Sequence, residues 1–327
     1  MNNQSIEKVC SIIKSNKTFS IYIHINTDID AIGSALALKR ALNKLGKVGH
    51  VYVDSIFPNN AFMFEDINLI NNEKLSEYDV CFVLDSADEN RLGRLKYKYR
   101  KNIKTLVCVD HHLENSVPAK NKWVEDQVSS TCELIYLIIK ALKVDIDREM
   151  CKLLISGTYT DTGALKFSNT KSSTFLMLSD LINIYNSTMD EISVPLFNNL
   201  TKEAFNLKRL AYDRVELLSN DEVAFIVIKK EDFVRLKVKM GETKGLSDVA
   251  LQIGSVKIVV LISESDIEEG VYHISIRTKG NYSAKNIANE FGGGGHLKAS
   301  GCKIKDNLEN VRRCIYEAVK KELGRGC

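Results

Sequence analysis

Between Phe19 and about Leu165, short apolar runs of β type alternate with segments of helical period. The strand-like runs are FSIYIHI, VGHVYV, YDVCFVLD and KTLVCVD; AIGSALALKRALNKLG reads as a helix, as do the stretches around STCELIYLIIKALK and DREMCKLLISGTYTD. Strand followed by helix, repeated, predicts an α/β fold with a parallel sheet and helices on both faces. The runs ending at Leu84 and Val109 are apolar almost throughout, as in strands buried on both sides, and each passes directly into an aspartate. Open α/β sheets carry their ligands at the carboxyl ends of the strands, so His24, Asp85 and Asp110 are expected along one edge.

From Ser168 to about Ser219 the chain is polar and mostly helical in pattern, with Pro195 as the strong breaker. Past Asp221 the pattern changes to EVAFIVIKK, VKIVVLIS and VYHISIRTK, then an amphipathic SAKNIANEF, a glycine run and a final helix, LENVRRCIYEAVKKEL. These shifts predict three parts: a first domain over 1–185, a helical connector over 186–219, and a smaller α/β domain with a mixed sheet over 220–327. A substrate is expected in the cleft between two such lobes.

The length of 327 residues suits two domains, and 44% hydrophobic with 27% charged residues is ordinary globular usage. Forty-five Lys and Arg against 42 Asp and Glu leave a formal +3, too balanced for a protein that coats long nucleic acid by charge. Cysteines at 10, 81, 108, 132, 151, 302, 314 and 327 form no C-x-x-C pair. They are expected as reduced, mostly buried thiols of a cytoplasmic protein, Cys108 among them in the core. The N-terminus has no signal-peptide pattern and no stretch of about 18 apolar residues occurs, so no membrane partner is expected.

Four clusters carry the candidate chemistry: His24-Ile-Asn-Thr-Asp28-Ile-Asp30, Asp85-Ser-Ala-Asp88, Asp110-His111-His112 and Thr160-Asp161-Thr162-Gly163. Carboxylates suit hard divalent cations, and imidazole suits the more borderline Mn²⁺. There are ligands for two ions, a pair that hydrolyses phosphoesters, and Asp85 is placed to bridge them. Taken singly, Asp28 is equally a helix N-cap, Asp85 a turn residue and His24 a core histidine. Their recurrence at four element ends favours the metal reading. Asp88 reads as a turn or supporting group, and His50 and His273, without acidic company, as structural. Gly292 to Gly295 with His296 offers either an anion-binding nest of amides or a left-handed helix cap and turn. Arg277, a planar fork suited to phosphate, favours the former.

These motifs resemble the DHH phosphoesterase family, named for the triplet present here at 110–112, with a C-terminal DHHA1-type domain ending in Gly-Gly-Gly-His. Within it the chain looks most like bacterial oligoribonuclease/3'-phosphoadenosine-5'-phosphate phosphatases. The resemblance implies two Mn²⁺ ions, or Mg²⁺, on His24, Asp28, Asp30, Asp85, His111 and Asp161. It implies His112 facing substrate, Asp110 orienting the histidines, and Arg277, Gly293, Gly294, Gly295, His296 and Ser300 holding the nucleotide. Thr27 and Ile29 replace the usual Pro and Gly of the first motif. The implied activity releases 5'-mononucleotides from very short RNA such as pApA and removes the 3'-phosphate of pAp. A cyclic di-AMP phosphodiesterase is the alternative, and a non-catalytic nucleotide sensor the reading from another class. The expected partners are short RNA or small nucleotides, with no long nucleic acid, and the family suggests a homodimer.

Overall fold

The computed structural model describes residues 5–72, 77–99, 101, 103–112, 114–243 and 245–325. Two compact units divide it, Met1–Asn199 and Leu200–Cys327.

The first unit contains strands β1 (Thr18–Tyr22), β2 (Val48–Tyr52), β3 (Tyr78–Leu84), β4 (Ile103–Asp110) and β5 (Asn121–Val124), with helices α1 (Ile6–Ser15), α2 (Ile29–Lys44), α3 (Thr131–Ala141), α4 (Arg148–Asp161), α5 (Ser172–Tyr185) and α6 (Asp190–Phe197). The five strands are ordered β2-β1-β3-β4-β5, and every neighbouring pair is parallel. One face, with Phe19, Ile21, Val80, Phe82 and Val107, packs in a single core with residues of all six helices. The other, with Tyr22, Cys81, Val83 and Cys108, is covered by Leu92, Tyr99 and Val117, Leu92 belonging to a 3-10 helix over Glu89–Tyr97. Burial on both sides is why β3 reads as an unbroken apolar run.

The helices begin where short polar side chains cap them. Asp28, Ser130 and Asp147 accept from the amides of Ala31, Glu133 and Met150 at the starts of α2, α3 and α4. These three helices meet closely at Gly157, where a Cβ would lie 2.3 Å from Cys132 Sγ and 3.0 Å from Asp30 Cα. A side chain at 157 would push α2 away from α3 and carry Asp30 off its partners.

The second unit contains β6 (Glu216–Leu218), β7 (Val223–Ile228), β8 (Ile258–Glu264), β9 (Val271–Thr278), β10 (Gly294–Gly295) and β11 (Ala299–Lys305), with α7 (Lys202–Asp213), α8 (Lys230–Leu236), α9 (Asp248–Leu251), α10 (Ala284–Asn289) and α11 (Leu308–Arg325). Its sheet runs β10-β11-β9-β8-β7-β6; β7 and β8 are parallel and the other pairs antiparallel. Ile274, Ile276 and Val260 face α10 and α11, while Val259 and Leu261 face Leu207 and Ala211 of α7. Helix α6 packs through Ile192 and Leu196 into the first core, so the polar stretch after Ser168 is shared between two cores.

Six of the described cysteines are buried and Cys314 is exposed, with no disulfide among them; Cys327 lies outside the described residues. Among the described residues no helix is long and apolar enough to cross a membrane.

Candidate metal centre

In a 2-1-3-4-5 parallel sheet the chain reverses direction of travel between β1 and β3, and the loops leaving those two strands diverge to opposite sides, opening a crevice at their carboxyl ends. His24 follows β1 by two residues, Asp85 follows β3 directly, and Asp110 is the last residue of β4. Asp28 and Asp30 come from the start of α2 and Asp161 from the end of α4.

These side chains converge. Asp85 Oδ2 is 3.4 Å from His24 Nε2, and Asp85 Oδ1 is 3.5 Å from His111 Nε2. Asp28 Oδ2 joins His24 Nε2 at 3.6 Å, and Asp161 Oδ2 joins His111 Nε2 at 3.8 Å. Three donor sets result among the described residues, His24 with Asp28 and Asp85, Asp30 with His111 and Asp161, and Asp85 with His111 and His112, each with its ligand atoms within 4.8 Å of one another; the first two share no residue. Asp85 turns one oxygen towards each of those two. The six sequence-predicted ligands are thus brought together.

Backbone and side-chain partners fix each donor. The Asp30 carboxylate accepts from the amides of Thr131 and Cys132, at 2.8 and 2.9 Å, the first two amides of α3, where the helix dipole favours negative charge. Thr131 Oγ1 donates to Asp85 Oδ1 at 3.0 Å. His24 Nδ1 lies 2.7 Å from the Ile25 carbonyl, so it donates there and leaves Nε2 as the nitrogen that faces the carboxylates, as a second donor in this arrangement and as a ligand atom once its proton gives way to a cation. Asn169 donates to Asp161 Oδ2 at 3.3 Å. Asp85 itself stands at φ +54°, a left-handed conformation that Asp and Asn accept more readily than other side chains.

Asp110 is set apart from the cation-facing donors. It is fully buried; its Oδ1 accepts from His112 Nδ1 at 2.7 Å and from the His111 amide at 3.0 Å. Asn115 donates to its Oδ2 at 2.7 Å. Burial works against a charged His112, but Asp110, with Asp85 behind it, raises the imidazole to about 9. Burial likewise works against charge on His24, and Asp28 and Asp85 raise it to about 10. Asp85, although buried, is held well below the usual carboxylate range by His24 and the other imidazoles. Burial, then the neighbouring carboxylates, push Asp30 and Asp161 upward. In this arrangement protons occupy the place that divalent charge would take. Oxygen and imidazole donors, buried and crowded to this degree, fit such cations and would lose those protons to them.

Asp88 caps the 3-10 helix through the Asn90 amide at 2.7 Å, and His50 is buried against the Tyr78 hydroxyl at 2.7 Å. His273 is half-buried on β9. Sequence reasoning misses Arg91, Thr131, Asn115 and Asn169. Arg91 is half-buried, its carbonyl accepts from the Ile25 amide at 2.6 Å, and its guanidinium lies close enough to His112 to oppose protonation there. Its signal is positional only: six residues past Asp85, it returns to the end of β1.

In the second unit the glycine run is one arm of a hairpin. Gly294 pairs with Gly301 and Gly295 with Ser300, and Ala299 pairs with Arg277, so Arg277 and the turn at His296 lie at the same end of the sheet. The amides of Gly292 and Gly293 donate to the carbonyls of Asn289 and Ala288, and the His296 amide to Ala299. These three are therefore not turned outward as an anion nest, and the helix-cap reading holds for the start of the run. A Cβ at Gly293 would meet Gly301 O at 2.2 Å. Ser300 is buried, with its hydroxyl donating to His296 O at 2.8 Å. Arg277 Nε lies 3.2 Å from Asp248 Oδ1.

Residues 18–158 match the DHH family, N-terminal domain, and residues 220–324 the DHHA1 domain. The chain is 29% identical over 318 residues to the bifunctional oligoribonuclease and PAP phosphatase NrnA of Thermus thermophilus, covering 93% of this chain and 90% of that protein. It is 26% identical over 294 residues to the protein of that name from Bacillus subtilis, covering 88% and 89%. The crystal structure of an exopolyphosphatase-related protein from Bacteroides fragilis superposes with a TM-score of 0.90 at 23% identity, over 97% of this chain and 95% of that one, a likeness of fold.

Proposed function

We propose that this chain, with residues 18–158 matching the DHH family, N-terminal domain, and residues 220–324 the DHHA1 domain, is a metal-dependent phosphoesterase. It releases 5'-mononucleotides from very short RNA and removes the 3'-phosphate of pAp. The observation that carries the reading is Asp85, whose two oxygens face two separate donor sets. The names of the Thermus thermophilus and Bacillus subtilis relatives support the substrate class.

His24, Asp28 and Asp85 would hold one cation and Asp30, His111 and Asp161 the other, with Asp85 shared; Mn²⁺ suits the imidazole content better than Mg²⁺. Bound there, the pair supplies an acidified water and neutralises charge on the phosphoryl oxygens. This chain's own groups do the rest. Asp110 accepts from His112 Nδ1 and so orients the imidazole, whose Nε2 would donate to a phosphate or leaving oxygen. Arg91 adds a fixed positive charge beside it. In the second unit Arg277 exchanges the half-exposed Asp248 for a substrate phosphate. Ser300 holds the turn that presents His296, and Gly293, Gly294 and Gly295 let that turn lie flat on the sheet.

The test compares initial rates with Mn²⁺ on pApA, a five-nucleotide RNA, pAp and cyclic di-AMP. Fast mononucleotide release from the first two, with phosphate release from pAp, is the expected result. Preferential opening of cyclic di-AMP would replace this reading with signal hydrolysis, and metal binding without turnover on any of the four would favour a sensor.

A further inference from the structure

The stretch RLGRLKYKYRKNIK, residues 91–104, contains seven Lys or Arg, no Asp or Glu, and two tyrosines. In a chain of net +3, all the remaining residues together are net negative. This run is the crossover from the carboxyl end of β3 to the amino end of β4. It therefore starts beside Asp85 and travels the full depth of the sheet away from the metal centre, anchored to the sheet face by Leu92 and Tyr99.

The crossover is braced from beneath and charged on top. Arg94 forks onto Asp54, with Nε to Oδ2 at 2.9 Å and Nη2 to Oδ1 at 2.5 Å, and its amide reaches the same carboxylate at 2.8 Å. Tyr99 OH donates to Glu89 at 2.7 Å, and Lys104 pairs with Asp79 at 2.7 Å. Those contacts account for two of the cations. Lys96, whose ammonium meets Asn90 Oδ1 at 2.9 Å, and the exposed Lys98 and Lys101 form no ion pair within 4 Å of a carboxylate among the described residues, although Lys98 lies close enough to Asp54 to help hold its carboxyl low. Tyr97, 69% exposed, lies between Lys96 and Lys98, with the Lys96 ammonium 5.1 Å from its ring centre. Alternating cations and an exposed aromatic ring, on a rigid support, suit a single strand. The cations follow phosphates and the ring stacks on a base without reading it. An anionic protein or lipid surface would use the charges and leave the ring without a role.

We infer that Lys96, Tyr97, Lys98 and Lys101 form a track for the backbone of single-stranded RNA, holding the nucleotides that lie beyond the one released at the metal centre. The inference rests on the hydrolytic reading above and adds to it a determinant of substrate length: a dinucleotide ends before the track, and a chain of several nucleotides extends along it.

The experiment uses the full-length Lys96→Ala/Lys98→Ala/Lys101→Ala protein, with its melting temperature checked against wild type. KM is measured for pApA and for a seven-nucleotide oligo(A), together with the fluorescence anisotropy of the 5'-labelled seven-mer from 50 to 200 mM salt. The track predicts a rise of about tenfold in KM for the seven-mer, a change under about twofold for pApA, and a salt slope shallower by about 2, at roughly 0.7 for each phosphate no longer neutralised. Tyr97→Ala alone is expected to weaken seven-mer binding by about threefold or more, with an unchanged salt slope. Equal effects on the two substrates, or an unaltered affinity for the seven-mer, overturn the track while leaving the hydrolytic reading standing. If wild type binds the seven-mer with the steep slope, and the triple variant loses it, but neither cleaves any RNA, then the hydrolytic reading fails and the track stands.

Discussion

Where β1, β3 and β4 of the first unit end, the chain places charged side chains; where β11 of the second unit meets β10, it places glycines at 294, 295 and 301. The first edge gathers His24, Asp28, Asp30, Asp85, His111 and Asp161 into a volume where every donor is within reach of another's charge. The second lines up Gly294, Gly295 and Gly301 so that paired strands lie close together near Arg277, with a Cβ at 295 or 301 only 2.6 or 2.8 Å from a carbonyl oxygen. The two candidate edges in one chain are thus made by opposite means. A side-chain edge is exposed to loss of charge, a backbone edge to gain of volume, and substitutions should separate the two.

The largest effect is expected from Asp85→Asn. Asparagine tolerates the left-handed backbone at 85, so the fold should survive while the shared carboxylate is lost. The kcat for pApA should fall on the order of a thousandfold with unchanged circular dichroism, and near-normal turnover would remove Asp85 from its bridging place. Gly293→Ala should do the reverse. Its methyl group meets the Gly301 carbonyl, at a cost of about 2 kcal/mol to the second unit by urea unfolding, with the cation affinity of the first unit unaltered. Arg277→Ala should raise KM about tenfold with little change in kcat, the mark of uniform binding; a fall in kcat alone would assign Arg277 to the transition state.

A smaller effect is a pH trend of a few degrees in melting temperature. In chelated protein, Asp30 and Asp161 bind protons more tightly folded than unfolded, and His24 does so up to about 10 from an ordinary 6.5. A raised value means stability that is complete at low pH and lost as pH climbs through it. The chelated first unit should therefore melt lower at pH 9 than at pH 6.5, by calorimetry. Saturating Mn²⁺ should flatten or invert the slope, since cation and protons compete for the same atoms.

Much of the first edge is legible in sequence because its residues interrupt apolar runs: Asp85 after VCFVL and Asp110 after LVCV are polar where a buried strand has just ended. The supporting groups leave no such mark. Asn169 and Asn115 are ordinary loop asparagines until folding brings them to Asp161 and Asp110, and Arg91 is hidden among other cations. Strand β5, four residues long, and β11, with five of the seven residues of ASGCKIK small or charged, are too weakly patterned to be read. Their places are set by the neighbours they pair with. Helices α6 and α7 each show an i,i+4 apolar pair, Ile192 with Leu196 and Leu207 with Ala211. The spacing reveals a buried face but not which core receives it. The glycine run is ambiguous in sequence between nest and cap, and only the carbonyls chosen by its amides decide its start.

The donors of the metal centre are separated along the chain by as much as the stretch from His24 to Asp161, and they come from five different elements. No single element of the first unit contains a whole set, and an unfolded chain offers only scattered carboxylates and imidazoles. Cation binding is therefore a report on completed assembly. At a free ion concentration of about 100 times Kd it would stabilise the folded form by about 2.7 kcal/mol. Ion supply would then set how long the folded site resists proteases.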